Sequence, residues 1–170
     1  MSELHLIAHN IRSTENVGSL FRICDSLGVS KLWLTGYTPG PEHVKVKKTA
    51  LGAEKSVVFE QIINVEELLS KLKASGFSVV GLELDDRAKA LDRYKPSKDK
   101  IALLLGNEVE GISPYLREQC DELVFIQQKG VKESLNVAVA AGIATYELML
   151  KLKQNSKSKV QNAGGLRHVI

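Results

Sequence analysis

Short apolar runs alternate with helical patterns along most of this chain, and that alternation constrains the fold more than any other feature. Six runs rich in branched apolar residues are predicted as strands, at residues 4–8, 31–35, 57–59, 79–84, 101–105 and 123–126. Nearly continuous apolar strands separated by helices are typical of a parallel sheet covered on both faces. The sequence therefore predicts an α/β fold with a mostly parallel sheet, and 170 residues suit one domain.

Five helices are predicted between and after these strands, at about residues 14–27, 44–53, 65–74, 114–120 and 134–152. Ser13 or Thr14 is the expected N-cap of the first helix, and Ser113 followed by a proline opens the fourth. Gly28 and Gly76 are the expected stops of the first and third helices.

The positive charge is concentrated at the C-terminal end. The whole chain carries a net charge of +3, but residues 151–170 hold five basic and no acidic side chains, so residues 1–150 carry −2. This end is also rich in Gln, Asn, Ser and Gly, a composition that disfavours packing. We expect a domain over residues 1–153 and a basic, flexible tail over 154–170, which serves either solubility or non-specific attraction to a polyanion.

No membrane span or export signal is predicted. The longest apolar stretches cover residues 101–105 and 137–144, well short of the ~18 consecutive residues that a span needs. The first five residues carry neither a basic nor an apolar leader segment. We expect a cytoplasmic protein that makes no membrane contact.

Missing motifs disfavour several common enzyme classes. The chain has no G-x-G-x-x-G after its first strand, no Walker A loop and no G-x-S-x-G elbow. Its four histidines lack metal-ligand spacing, and Cys24 and Cys120 form no C-x-x-C pair. We therefore expect no metal site, expect both cysteines in the core, and disfavour ordinary dinucleotide enzymes, P-loop NTPases, serine hydrolases and zinc hydrolases.

Three polar segments follow predicted strands, where an α/β sheet binds its ligands beyond the carboxyl ends. They cover residues 10–22, 103–114 and 125–140. Each also has an ordinary interpretation. The first is a helix start with a solvated arginine, the second a tight turn with exposed acids, and the third an N-cap before a small-residue helix that packs closely on another backbone.

Taken together, the order and spacing of these segments are specific. They read N-x-R-x-x-x-N-x-G-x-x-x-R from Asn10, L-x-L-G-x-E-x-x-G from Leu103, and S-L-N-V-x-x-A from Ser134. This set resembles the three motifs of the SPOUT superfamily of RNA methyltransferases, in its SpoU (TrmH-like) branch, and the resemblance covers nearly all of residues 4–150.

The resemblance implies methyl transfer from S-adenosylmethionine to a ribose 2′-hydroxyl of tRNA or rRNA. It also implies a deep C-terminal trefoil knot, whereas the connection rules for sheets favour an ordinary doubly wound fold. The positions matching the family's catalytic residues are Asn16, Arg22, Glu108, Ser134 and Asn136. The positions expected against the cofactor are Leu82, Glu83, Gly106, Asn107, Gly111, Ile126, Ser134 and Leu135.

The role of the matched arginine is open. The family assigns it the role of base, but a guanidinium stays protonated in proteins, so Arg22 is better suited to clamp a phosphate while the proton leaves to phosphate or water. Asn16 is expected to hold Arg22 or the ribose, and Asn136 to offer an amide to the hydroxyl or the cofactor. Glu108 is expected to pair with Arg22 or with the cofactor's cationic end, because a buried carboxylate needs a partner.

RNA recognition is expected from the catalytic domain itself, since the first motif begins too early for the extra N-terminal RNA-binding domain of many members. The expected RNA contacts are Arg12, Lys45, Lys47, Lys48 and Lys55, although the lysines also fit an ordinary solvated helix face. The chain further resembles dimeric members in which two subunits build the RNA site together. We therefore expect a homodimer, with the last and first helices as interface candidates.

Two other functions stay open from the sequence. One is a module of the same fold that binds RNA or cofactor without catalysis. The other is an unrelated nucleotide-binding α/β domain acting on acidic small molecules. Binding of S-adenosylmethionine, as opposed to NAD or ATP, separates these possibilities.

Overall fold

The computed structural model of the protein describes residues 2–131 and 134–164, with side chains through residue 157. Its strands are β1 (Glu3–His9), β2 (Lys31–Thr35), β3 (Phe59–Ile62), β4 (Ser78–Leu82), β5 (Lys89–Ala90), β6 (Lys100–Leu105) and β7 (Glu122–Phe125). They form one sheet in the order β3-β2-β1-β6-β4-β7-β5, and every pairing in it is parallel. The predicted parallel α/β sheet is confirmed, and the knot stays a prediction.

Three strands differ from the prediction by more than one residue. The fourth, predicted over 79–84, ends at Leu82. The third begins at Phe59, after Val57 has packed into the core, although Leu32 N–H already donates to Val58 O in the neighbouring strand. The short β5 was missed because Lys89 and Ala90 form no apolar run; it extends the sheet through a hydrogen bond from Leu91 N–H to Phe125 O.

The helices are α1 (Thr14–Leu27), α2 (Val44–Ala50), α3 (Val65–Ala74), α4 (Pro114–Gln119) and α5 (Val137–Gly164). Ser13 and Ser113 accept the capping hydrogen bonds expected of them. The second helix is shorter than predicted because Leu51 and Gly52 adopt left-handed conformations and end it, and a 3-10 turn, Ala53–Lys55, follows. Helix α5 begins at Val137 because its first turn is capped at Asn136, not at Ser134.

The segment predicted as a flexible tail is in part helical. Helix α5 passes the expected end near residue 152 and continues to Gly164, because residues 152–163 contain neither proline nor glycine. Asn155 Nδ2 donates to Pro96 O, so this part of the helix also contacts the domain. Residues 165–170 lie outside the described residues.

Both faces of the sheet are buried, as predicted. One core lies under α1 and α5 and includes Phe21, Leu103 and Leu148; the other lies under α3 and α4 and includes Leu68 and Leu104. The cysteines are free, with Cys24 buried and Cys120 half-buried. Burial raises the pKa of each thiol to about 12, so both stay protonated and unreactive at neutral pH. In the described part of the chain, no helix has the length and apolar character to cross a bilayer.

Gly18 of the first motif allows α1 and α2 to approach closely. A Cβ at this position would lie 2.6 Å from Thr49 Cβ and 2.8 Å from Val46 O. We expect Gly18→Ala to lower the free energy of unfolding by about 1–2 kcal/mol, since forced overpacking outweighs the helix propensity that alanine adds.

The matched control is Gly142→Ala in α5, where an added Cβ would make only ordinary contact, 3.6 Å from Ile23 Cδ1. Urea unfolding followed by circular dichroism gives both values. Equal stability of the two variants would contradict a close α1–α2 contact at Gly18.

Candidate active site

A cavity of about 450 Å³ opens at the carboxyl edge of the sheet, between the ends of β4 and β6 and the start of α5. It is lined by Leu82, Glu83, Leu105, Gly106, Asn107, Glu108, Val109, Glu110, Gly111, Ser134, Leu135, Asn136, Val137 and Ala140. A volume of this size is typical of small-molecule sites. The cavity lies where the topology of a parallel sheet predicts a ligand.

The cavity contains most of the residues that were expected to touch a cofactor. Those that line it are Leu82, Glu83, Gly106, Asn107, Gly111, Ser134 and Leu135. Ile126 does not line it. Its side chain packs against the core and borders a separate hollow that includes Leu91, Ile143 and Tyr146. The residue after β7 thus faces α5 and not the cavity.

The turn after β6 forms the floor of the cavity. Asn107 and Gly111 pair through backbone hydrogen bonds of 3.2 and 2.9 Å, and Asn107 Oδ1 accepts from Val109 N–H at 2.7 Å. Glu83 Oε2 accepts from Ile112 N–H at 2.7 Å, which fastens the turn to the end of β4. These bonds close the acidic turn into a compact loop and fix the position of Glu108.

Glu108 is the point at which this loop joins the first motif. Its Oε2 accepts from Arg12 N–H at 3.0 Å, and its Oε1 accepts from Ser13 N–H at 3.0 Å and Asn16 Nδ2 at 2.9 Å. The carboxylate therefore holds the N-terminal end of α1. Partial burial raises the pKa of Glu108, but donation by Arg12, Asn16 and Ser13 outweighs it, so the pKa lies below its ordinary value.

Asn16 connects the first motif to the third. Asn136 Nδ2 donates to Asn16 Oδ1 at 3.0 Å, while Asn136 Oδ1 caps α5 by accepting from Ala138 and Val139 N–H. A continuous chain of hydrogen bonds thus runs from Asn136 through Asn16 to Glu108, and it links residues 92 and 120 positions apart. The expectation that the three motifs converge is correct for these three side chains.

Arg22 takes no part in this network. It is exposed on α1 and borders another hollow with Ser19, Ile23, Ser26 and Leu27. Of the two partners expected for Glu108, Arg22 is wrong within one chain, because backbone amides and Asn16 bond to the carboxylate. The other, the cofactor's cationic end, stays a prediction. Asn16 likewise bonds to Glu108 and Asn136, and not to Arg22.

The residues expected to contact RNA lie on the surface. Arg12 is exposed beside the cavity, and the lysines are exposed on or after α2, namely Lys45, Lys47, Lys48 and Lys55. Among the described residues, none of these four lysines forms a salt bridge. The four ammonium groups therefore present positive charge at the surface without a direct ion pair.

Sequence reasoning missed Tyr37, which follows β2. Its hydroxyl oxygen accepts from Asn107 Nδ2 and, at 3.4 Å, from Arg12 Nε. Its exposed ring therefore stands beside the cavity. Nothing in the motif spacing singles it out, because Tyr37 lies outside all three motifs. Within the described residues, no three His, Cys, Asp or Glu side chains cluster as a metal site.

Comparison with known proteins gives one family. The family model described as the SpoU rRNA Methylase family matches residues 3–146. The chain is 32% identical over 145 residues to a 23S rRNA (guanosine-2'-O-)-methyltransferase of Acinetobacter baylyi, covering 85% of this chain and 58% of that protein. It is 32% identical over 149 residues to a tRNA (guanosine(18)-2'-O)-methyltransferase of Aquifex aeolicus, covering 85% and 68%.

The fold is likewise similar to solved structures. The AdoMet-bound rRNA methyltransferase from Sinorhizobium meliloti superposes with a TM-score of 0.80 at 28% identity, over 86% of this chain and 56% of that chain. This chain thus spans between about half and two thirds of the length of these relatives.

Proposed function

The chain belongs to the SpoU rRNA methylase family, and we propose that it transfers a methyl group from S-adenosylmethionine to a ribose 2′-hydroxyl of tRNA or rRNA. The observation that carries the proposal is the hydrogen-bonded chain Asn136–Asn16–Glu108 at the mouth of a cavity of about 450 Å³. It joins the three motifs at one edge of the sheet. The relatives named above support the same chemistry.

The lining of the cavity suits S-adenosylmethionine. Apolar side chains such as Leu82, Leu105 and Val137 offer contact area for an adenine ring, while the carboxylates of Glu83 and Glu110 favour a cationic sulfonium and amino group. When bound, this cofactor supplies an electrophilic methyl group. Backbone at Gly106 and at Leu135 would hold it, as the motif resemblance implies.

The remaining chemistry is alignment and proton removal. An in-line displacement needs the 2′-oxygen held close to the methyl group, and effective positioning contributes much of the rate of such reactions. Asn16 and Asn136 are neutral and fixed by their mutual hydrogen bond, so they orient the hydroxyl without adding charge. Arg22 clamps the adjacent phosphate, and the proton leaves to that phosphate or to water.

A homodimer accounts for the position of Arg22. Along α5 the side chains of Val139, Ile143, Tyr146 and Leu150 are exposed at helical spacing. An unpartnered apolar stripe of this kind marks an interaction surface. Helix α1 packs beside α5, so a second copy seated on the stripe lies close to Arg22. We propose that each Arg22 serves the site of the other copy.

The exposed lysines of α2 then extend the RNA surface of each copy. Phosphate contacts by such side chains supply affinity that falls with salt and carries little sequence information. They orient the RNA backbone towards the mouth of the cavity.

Calorimetry and methyl transfer test the function. We expect the purified protein to bind S-adenosylmethionine and S-adenosylhomocysteine but neither NAD nor ATP. Incubation with labelled S-adenosylmethionine and unmodified tRNA or rRNA should yield 2′-O-methylated nucleosides by mass spectrometry. Cofactor binding without methyl transfer to either RNA would favour the non-catalytic module, and binding of NAD or ATP instead would end the proposal.

Mixing two inactive variants tests the shared site. Arg22→Ala and Asn136→Ala are each expected to abolish methyl transfer. In co-expressed heterodimers one site is free of both substitutions if Arg22 acts on the partner, so about a quarter of the wild-type activity should return in a random mixture. No recovery would show that Arg22 serves its own chain. Ile143→Glu, placed in the stripe, should abolish both dimer formation in sedimentation and the recovery.

A further inference from the structure

Tyr37 combines a fixed position with an open ring. Its backbone N–H donates to Asn10 Oδ1 at 3.2 Å, and its hydroxyl oxygen accepts from Asn107 and from Arg12. The side chain is nevertheless 53% exposed. In the described part of the chain, no aromatic ring or cation stacks on it.

The residues that hold Tyr37 are themselves held firmly. Asn10 has a left-handed backbone, with φ of 55°, and its side chain covers Gly36, where an added Cβ would lie 1.9 Å from Asn10 Oδ1. Asn10 Nδ2 also contacts His9 Nε2 at 3.0 Å. Asn107 is buried and lines the cavity. The ring is thus anchored at both ends, so little side-chain entropy is lost when a ligand covers it.

An exposed aromatic ring beside an exposed guanidinium suits one ligand class in particular. Unpaired nucleobases stack on aromatic side chains, and the flanking phosphates pair with arginine. Bases inside a duplex already stack on one another and do not offer their faces. We propose that Tyr37 is a stacking platform for an unpaired RNA base, with Arg12 on the adjoining phosphate, and that the substrate is therefore single-stranded or looped at this point.

This inference rests on the proposed function, because a ribose held at the mouth of the cavity places its own or its neighbour's base at the rim where Tyr37 lies. Tyr37 is not among the residues that line the cavity, so its role is to bind and position the RNA.

Fluorescence anisotropy with a labelled 12-nucleotide single-stranded RNA, and with the same strand annealed to its complement, tests the platform. We expect Tyr37→Leu to weaken single-strand binding roughly 5- to 100-fold, the range for loss of one stacked base. Duplex binding should stay unchanged, and Tyr37→Trp should retain single-strand binding. Tyr115→Leu is the matched control, since Tyr115 is 60% exposed on α4, outside the cavity.

Three further readouts separate stacking from a structural role. Tyr37→Phe keeps the ring, so its affinity for single-stranded RNA should stay within a few-fold of the wild type. Tyr37→Phe and Tyr37→Leu should both keep the wild-type affinity for S-adenosylhomocysteine. Arg12→Ala should reduce the slope of log affinity against log salt by about 1, whereas Tyr37→Leu should leave it unchanged. The stacking proposal is wrong if Tyr37→Phe and Tyr37→Leu lose equal affinity for single-stranded RNA, or if S-adenosylhomocysteine affinity falls in parallel.

The outcomes for the platform and for the function are distinct. If the wild-type protein transfers methyl groups but Tyr37→Leu binds single-stranded RNA as tightly as the wild type, the stacking proposal is wrong and the proposed function stands. If the protein neither binds S-adenosylmethionine nor transfers a methyl group, the proposed function is wrong. The RNA affinities of the wild type and the Tyr37 variants still test the stacking proposal in that case.

Discussion

Glu108→Gln is expected to lower the rate of methyl transfer by about 10²-fold or more while lowering the free energy of unfolding by only about 1 kcal/mol. The carboxylate accepts three hydrogen bonds, from Arg12 N–H, Ser13 N–H and Asn16 Nδ2. A glutamine offers one oxygen in place of two, and its NH2 group then faces a donor. At least one of the three bonds is therefore lost.

The two effects differ in size for a physical reason. Although the carboxylate is partly desolvated, Glu108 keeps an exposed surface, so water can satisfy the backbone donors that it releases, which keeps the cost in stability small. Water cannot replace Glu108 in aligning the reacting groups, and a displacement of about 1 Å at a reacting centre can lower the rate 10²-fold. The Asn16 amide loses its fixed partner, and with it the orientation that Asn136 depends on.

The lowered pKa of Glu108 predicts the pH range over which this anchor works. Because the folded-state pKa is lower than the unfolded one, the stabilisation is complete above the unfolded value and is lost as the pH falls through the folded value. The anchor is thus intact at neutral pH, and only strongly acidic buffers should weaken it in the wild type.

Steady-state kinetics and urea unfolding of Glu108→Gln give the two quantities. Glu67→Gln is the charge-matched control, because Glu67 is exposed on α3, on the other face of the sheet. A loss of rate that merely follows the loss of folded protein, or a rate within threefold of the wild type, would contradict a positioning role for the carboxylate.

The sequence predicted six of the seven strands and most of the residues that line the cavity. The apolar runs are buried strands because both faces of a parallel sheet are covered, and that pattern is visible in residues such as those of β6. The motif residues Glu108 and Asn136 could be placed at one edge because carboxyl ends of parallel strands share an edge. Ser13 and Ser113 cap as their chemistry predicts.

Pairings between side chains were beyond the sequence. Spacing put Asn16 and Arg22 on one helix, but six residues turn their side chains in different directions. Only Asn16 bonds to residues that line the cavity, whereas Arg22 borders a separate hollow. The expected partners of Glu108 were Arg22 or the cofactor's cationic end, and the backbone N–H groups that bond to it could not be predicted, because every residue but proline has one. Tyr37 was not predicted for a similar reason: its hydrogen-bond partners, Asn10 and Asn107, follow two other strands and are distant in sequence.

Gly106→Ala is expected to lower the affinity for S-adenosylhomocysteine by about 10²-fold or more, and to lower the free energy of unfolding by about 1–3 kcal/mol. A Cβ on Gly106 would lie 2.2 Å from Gly111 C and 2.3 Å from Ile112 N. Both neighbours are backbone atoms, which cannot rotate aside as the end of a side chain can. The whole turn has to move.

The movement reaches the cavity because the same turn forms its floor. Displacing Gly111 separates it from Asn107 and from the end of β4, where a Cβ on Gly111 itself would already meet Glu83 Oε2 at 2.2 Å. Gly130→Ala is the matched control, since an added Cβ there meets no described residue within 4 Å. Calorimetric titration of both variants with S-adenosylhomocysteine measures the effect. If Gly106→Ala binds within threefold of the wild type, the close approach of Gly106 and Gly111 does not shape the cofactor cavity.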